Sequence, residues 1–269
     1  MRLKGESFMK KTLIALAVAA SAAVSGSVMA WDASGDSGPV VLSGLLTPQD
    51  NITPWEVAIG PAVTTLNADI KKGQKDVYII TENAIPVLGI RTAKAEAFKG
   101  QPGIAPQINY GGAVDVDNFA EGVTTLTLDV KNTAGVKIGT VTSSFFAGAG
   151  VSRLSVLDEK TRDVYSAWAE GAFEGGLATN SNGIVKGIGN VLNRVSALAP
   201  EIVANFNQQY APDVSHWRST GFCSETTMYS AFYGSGIEEG KSIRITLEQP
   251  AGSDAIDWKA DLPITISYQ

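Results

Sequence analysis

The sequence predicts a mainly β protein, a sandwich of many short strands interrupted by a helical insertion. Three observations carry that prediction. Apolar residues alternate with polar ones in four separate runs, the period of a half-buried strand. Glycine supplies 28 of the 269 residues and charged residues only 18%, against about 25% in ordinary soluble domains, a balance that suits turns and paired strands. One stretch, around residues 162–209, instead repeats its apolar residues at helical spacing.

The chain opens with an export signal. Met9-Lys10-Lys11 forms a basic start, Leu13 to Val24 is apolar and rich in Ala, and Val28-Met29-Ala30 has the small-residue pattern of a cleavage site, so residues 1–30 read as a signal peptide that begins at Met9. Its apolar core of about 12 residues falls short of the ~20 needed to span a bilayer as a helix. The mature chain is then expected to start at Trp31. The first 30 residues hold Arg2, Lys4, Lys10 and Lys11 against Glu6 alone, so removing them takes the net charge from −6 to −9.

Within the mature chain, Val40, Leu42, Gly44 and Leu46 alternate along a free N-terminal arm, residues 31–47, ahead of a domain over 48–269. Trp55 to Ile59 reads as a short strand, and Val77 to Ile80 and Val87 to Ile90 as buried strands. Leu126, Leu128 and Val130 alternate with Thr125, Thr127 and Asp129. The turn Asn132-Thr133-Ala134-Gly135 then leads into Val136 to Ile138, a β-hairpin signature. Ile243, Ile245 and Leu247 form another alternating strand, and Ile264, Ile266 and Tyr268 form the last.

The helical insertion is placed at about residues 162–222. Val164, Ala167, Trp168 and Ala172 fall at helical spacing. Ile184, Ile188, Val191, Leu192, Val195 and Leu198 do so more strongly, and Pro200 starts a third stretch with Ile202, Val203 and Phe206. A plain seven-strand sandwich needs only about 100 residues, and this insertion accounts for part of the surplus.

Composition excludes several functions. An acidic chain does not coat a phosphate backbone, so nucleic-acid binding is not expected. One Cys and one His make no intramolecular disulfide and no thiolate or multi-histidine metal site, so neither metal nor cofactor is expected. Gly35-Asp36-Ser37-Gly38 spells the surroundings of a protease nucleophile, yet it lies a few residues into the mature chain, and the sole His216 lies downstream of Ser37. The serine protease of that signature needs its His and Asp upstream. Asp115-Val116-Asp117-Asn118 begins like a calcium loop, but Ala120 and Leu126 occupy the positions of the required Gly and Glu; a turn is expected instead. Gly187-Ile188-Gly189 lacks the remainder of a dinucleotide fingerprint. Cys223 is expected as a buried free thiol. Tyr210, His216, Trp217 and Arg218 make a polar-aromatic cluster that either stacks on a sugar face or packs against the insertion.

The two ends carry the most specific pattern. Met9 to Trp31, the arm Val40-Val41-Leu42-Ser43-Gly44-Leu45-Leu46-Thr47, the strand Trp55-Glu56-Val57 and the terminal Leu262-Pro263-Ile264-Thr265-Ile266-Ser267-Tyr268 resemble the chaperone–usher fimbrial subunits, in particular the Fae-type subunits of adhesive fimbriae. That resemblance implies an incomplete immunoglobulin-like sandwich that lacks its last strand and is completed by donor-strand complementation. It implies that Val40, Leu42, Gly44 and Leu46 serve as the donor strand in the groove of a neighbouring subunit, and that a periplasmic chaperone reads the strand of Ile264, Ile266 and Tyr268. It also implies an outer-membrane usher, export through the periplasm to a cell-surface fimbrium, and contact with a host glycan receptor. Ile256 stands where many pilins carry a glycine, and Cys223 departs from the cysteine-free major subunit; both differences point to a minor subunit.

The expected function is therefore structural and adhesive, without enzymatic activity. The alternative is an exported monomeric glycan-binding sandwich, which shares the Trp217 cluster and needs no free arm. An enzyme is the third class, and no pair of acidic residues stands at a spacing suggestive of a glycosidase.

Overall fold

The computed structural model describes residue 44 and residues 53–157, 162–211, 217–219 and 221–269. The signal and all of the arm but Gly44 lie outside these residues. Among the described residues twelve strands follow in chain order: β1 (Trp55–Ile59), β2 (Asp76–Ile80), β3 (Ile85–Thr92), β4 (Phe98–Lys99), β5 (Pro106–Asn109), β6 (Val123–Lys131), β7 (Lys137–Ser155), β8 (Arg162–Ala167), β9 (Trp217–Arg218), β10 (Thr227–Ile237), β11 (Ser242–Leu247) and β12 (Thr265–Tyr268). Among the described residues one α-helix, α1, spans Ile188–Leu198. The pairing is antiparallel except for β8 with β9, and the architecture is an immunoglobulin-like β-sandwich.

β7 organises the molecule. It is 19 residues long. Its first half lies between β6 and β11, and its second half between β10 and β8. The strand order β1-β3-β10-β7-β11-β2 runs through it, and β5 and β12 form a separate pair. Its sequence explains the switch. Thr140, Thr142 and Ser144 are half-buried while Val141, Ser143 and Phe145 are buried, so this half has one wet face. Phe146 to Val151 are buried throughout, because the second half is covered on both faces.

The second cover is α1. Ile188, Val191, Val195 and Leu198 lie on one side of it and are buried against Phe146, Val164 and Phe232. Close packing needs glycine beneath the helix. A Cβ on Gly150 would stand 2.4 Å from Ile188, and one on Gly234 2.5 Å from Val195. Both contacts are shorter than real carbon contacts, so the helix seats only where the sheet lacks side chains. Arg194 locks the outer side by a two-donor fork onto Glu238, with contacts of 2.7 and 2.8 Å, and stacks over Phe146.

The structure corrects three expectations. Arg162–Ala167 is strand β8, not helix. Tyr165 and Ala167 face the main core while Val164 faces the layer under α1, so burial on both sides hides the alternation and leaves a spacing that suits either element. The third helical stretch is a single 3₁₀ turn, Pro200–Ile202; beyond it the Asn205 side chain donates to the Thr92 and Ala93 carbonyls, holding the chain on the sheet. β2 is an outermost strand with only Ile79 buried, where the apolar run had suggested a buried strand. The Asn132–Gly135 turn forms as expected, with Gly135 at φ +79°.

Candidate functional site

Two strands present apolar residues towards the core without being covered. In β1, Trp55, Val57 and Ile59 share the inward face, since side chains alternate along a strand. Trp55 is buried, but Val57 is 41% and Ile59 59% exposed. Their pairing partners on β3, Ile90 and Leu88, are 0% and 1% exposed. The row is sealed at β3 and open at β1. Beyond β1, Val63 is exposed, and Leu66 and Ile70 are half-buried against the main core.

β12 shows the same deficit. Leu262, Ile264, Ile266 and Tyr268 are half-buried and alternate with exposed Asp261, Pro263, Thr265 and Ser267. The four apolar residues pack on the main core, and Ile266 pairs with fully packed Ile108 of β5. Among the described residues β5 is the only strand partner of β12. Gln269 and Ala105 exchange both backbone hydrogen bonds, at 3.0 and 2.9 Å. Hydrogen-bonded pairs recur every second residue in an antiparallel ladder. Ser267 and Thr265 therefore bond to β5, while Ile264, Ile266 and Tyr268 turn their N–H and C=O groups to the opposite, open edge.

The two uncovered strands are tied at one end. The Trp55 indole N–H donates to the Ile104 carbonyl at 2.6 Å in a buried contact, and the next residue, Ala105, pairs with Gln269. Trp55 itself is fixed by edge contacts with Phe98 and Phe222, both at 5.0 Å between ring centres. β5 is tied to the main sheet by a buried pair of tyrosines. Tyr110 and Tyr233 share a 2.8 Å hydroxyl hydrogen bond, Ser235 lies 2.8 Å from Tyr110, and Tyr233 donates to the Gly176 carbonyl. Burial pushes the Tyr110 hydroxyl up to about 12 and that of Tyr233 well above its usual value. Both remain neutral donors at physiological pH.

The sequence-predicted residues fall as follows. Ile264, Ile266 and Tyr268 line the uncovered face. Val40, Leu42 and Leu46 lie outside the described residues, and Gly44 is exposed. His216 lies outside them too. Trp217 pairs by its backbone with Ser166 in β9. Arg218 is exposed, 3.8 Å from the Asp163 carboxylate, which Arg153 grips through two N–H groups at 3.0 and 2.7 Å. Cys223 is exposed, a correction: Phe222 beside it takes the interior position and turns the thiol outward.

Tyr210 is held in an unusual way. It is 95% exposed, and it and Gln209 both have left-handed backbones, at φ +55° and +51°, which costs energy for residues other than glycine. A buried polar network compensates. The Gln209 amide donates to the Ser152 hydroxyl and the Met228 carbonyl, and its backbone N–H donates to Asn207 Oδ1. The sequence offered no signal for this turn, because neither residue is a usual turn former.

Among the described residues no three His, Cys, Asp or Glu side chains gather as a metal site. The arrangement is two partly covered apolar rows, on β1 and β12, with the edge of β12 away from β5 unpaired among the described residues. Comparisons with known proteins place the chain in a family. Residues 9–269 match the K88 family described as fimbrial, major and minor subunit. The chain is 31% identical over 288 residues to K88 fimbrial protein AB of Escherichia coli, covering 97% of this chain and 100% of that protein. K88 fimbrial protein AD of Escherichia coli is 31% identical over 287 residues with the same coverage. The F41 fimbrial protein of Escherichia coli is 27% identical over 283 residues, again covering 97% of this chain and all of that protein. The chain belongs to the K88 family of fimbrial subunits. It is a structural subunit of a cell-surface fimbrium, and it assembles with other subunits.

Proposed function

We propose that this subunit polymerises by donor-strand exchange, with the uncovered surface between β1 and β12 as the acceptor groove and residues 31–47 as the donor arm. The reading rests on one observation: inward-facing Val57, Ile59, Ile264, Ile266 and Tyr268 are left partly exposed while their paired neighbours are sealed. A strand added between them would satisfy the open edge of β12 and cover both apolar rows. Val40, Leu42 and Leu46 bury one face in the groove, worth roughly 5 to 9 kcal/mol for three such side chains. Gly44 allows close backbone approach where the groove is shallow.

An empty groove is an aggregation-prone edge. A periplasmic chaperone therefore holds the subunit by the strand of Ile264, Ile266 and Tyr268 after the signal is removed, and passes it to an outer-membrane usher. The fibre is an adhesive scaffold without enzymatic activity. Tyr210, His216, Trp217 and Arg218 contact a host glycan, the two aromatics by stacking and Arg218 by planar donors.

The Val40→Asp, Leu42→Asp double variant tests the donor arm. It is expected to bind chaperone and be absent from fibres, because two buried carboxylates cost more than the remaining contacts supply. Incorporation at the normal level would sink the donor assignment. Trp217→Ala is expected to weaken glycan binding by fimbriated cells while leaving fibre yield unchanged; equal binding would move the glycan site elsewhere.

A further inference from the structure

The donor groove leaves a second open strand edge unexplained. β2 terminates the large sheet, with β11 as its partner among the described residues. Leu247 donates its N–H to the Lys75 carbonyl and Thr81 to the Lys241 carbonyl. Odd-numbered residues of β2 thus bond to β11. By the two-residue alternation of the ladder, Asp76, Tyr78 and Ile80 turn their N–H and C=O groups outward. The side chains of these same three residues lie on the outer face, opposite buried Ile79. Tyr78 is 60% and Ile80 59% exposed. Backbone hydrogen-bonding capacity and large apolar surface coincide on one short edge.

Charge along this edge is polarised. Lys71, Lys72 and Lys75 precede the strand and are exposed, whereas exposed Glu82 follows it. Asp76 is neutralised within its own subunit, by Arg244 at 2.9 Å and by the Thr246 hydroxyl at 2.7 Å, and Arg244 also stands over the Tyr78 ring at 5.8 Å. A basic end and an acidic end on one strand match a second copy of that strand running the opposite way.

We propose that β2 is a lateral contact between copies of this chain, in which two β2 edges pair antiparallel about a two-fold axis. The faces of the two sheets match only in registers that place Asp76, Tyr78 and Ile80 against one another. The register centred on Tyr78 sets Tyr78 opposite the partner's Tyr78 and Ile80 opposite the partner's Asp76. Both Tyr78 backbone groups are then satisfied. The contact is isologous, so it closes after two copies and does not itself propagate. Lysines and a short strand are devices that keep an edge from indiscriminate pairing; here they also select the antiparallel partner, because a parallel one brings Lys71 and Lys72 onto their own copies.

One pair of five-residue strands is small beside the ~1,200 Å² of a stable interface. The pairing is therefore weak between single subunits and becomes effective where many copies are tethered along fibres, by avidity. It aligns neighbouring fibres side by side. This rests on the chain being a fibre subunit and does not depend on which strand fills the groove.

Purified native fibres carrying Tyr78→Cys in a Cys223→Ser background provide the test, under mild oxidation. Disulfide-linked subunit dimers are expected, together with side-by-side fibres in electron micrographs. A Val136→Cys control, equally exposed at 58% on the hairpin, is expected to give none. Lys71→Glu with Lys72→Glu is expected to separate the fibres, and adding Glu82→Lys is expected to restore their alignment. Intact Tyr78→Cys fibres whose thiol reacts with a maleimide but forms no dimer would overturn the proposal, as would dimers formed equally by the Val136→Cys control. If Tyr78→Cys lowers fibre yield, mixed Asp76→Cys and Ile80→Cys fibres read the same register: cross-linking only in the mixture supports it, and its absence overturns it.

Discussion

β11 and β12 carry nearly the same sequence pattern and meet opposite fates. Ile243-Arg244-Ile245-Thr246-Leu247 and Ile264-Thr265-Ile266-Ser267-Tyr268 both alternate apolar with polar. In β11 the three apolar residues are buried, because β7 and β2 flank it on both edges. In β12 the apolar residues stop at half-burial, because among the described residues β5 flanks it on one edge and nothing pairs with the other. The difference lies in the neighbours and not in the residues. On the proposed donor-strand reading, a strand composed for a complete sandwich is left in an incomplete one, and the shortfall in burial marks where the donor strand would lie.

The strongest way to break that comparison is to supply the missing neighbour. Appending a second copy of residues 36–48 after Gln269 through a tight turn is expected to stabilise the subunit by about 5 kcal/mol, the lower end of burying three aliphatic side chains. It is also expected to keep the subunit monomeric without chaperone. Denaturant unfolding reads the first outcome and size exclusion the second. An unchanged unfolding midpoint would mean that β12 has no vacant neighbour position.

A finer measurement compares equivalent truncations. Ile245→Ala in β11 is expected to cost about 3 to 4 kcal/mol and Ile266→Ala in β12 about 1 kcal/mol, since only the first leaves a cavity in a sealed core. In the self-complemented chain the two costs are expected to converge. Equal costs in the uncomplemented subunit would remove the distinction between the strands.

A further measurement concerns the tie that holds β5, and with it β12, to the main sheet. The Tyr110 hydroxyl is raised to about 12 in the folded chain by burial, against an ordinary 10.0. Its stabilising effect is complete below the unfolded value and is lost as pH climbs through the folded one, because only the unfolded chain ionises in that window. The loss amounts to about 2 to 3 kcal/mol. Tyr110→Phe is expected to flatten this alkaline decline without abolishing it, since Tyr233 is raised too. An identical decline in the variant would place the titration elsewhere.

Much of the fold was legible because its signals are local. β6, β11, β12 and the Asn132 hairpin follow from alternation and turn residues, β1 and β3 from short apolar runs, and α1 from its 3.6-residue repeat. Four readings failed, each because the deciding neighbours lie elsewhere in the fold; the Pro200 stretch, held on the sheet by Asn205, is one. β8, with cores on both faces, shows no alternation, so Val164 and Ala167 suit either period. β2 reads as a continuous apolar run although its position at the end of the sheet wets Tyr78 and Ile80. Cys223 reads as buried because thiols usually are, whereas Phe222 occupies the interior position beside it. Of the proposed groove, the inward row of β12 follows directly from its alternation. The matching row of β1 does not, because Val57 and Ile59 look like any strand until their partners are known. The strained turn under Tyr210 depends on Ser152 and Met228, distant in sequence, and left no local trace.

By itself, the sequence determined many of the strands, where the helix falls, and, through its single Cys, that no intramolecular disulfide organises the chain. It did so because backbone periodicity and composition act over a few residues. Only the tertiary structure decided which strands lie in the interior and which at an edge. An apolar face is satisfied or left wanting by partners tens to hundreds of residues away, so the open rows of β1 and β12 and the free edge of β2 exist only once the chain has folded.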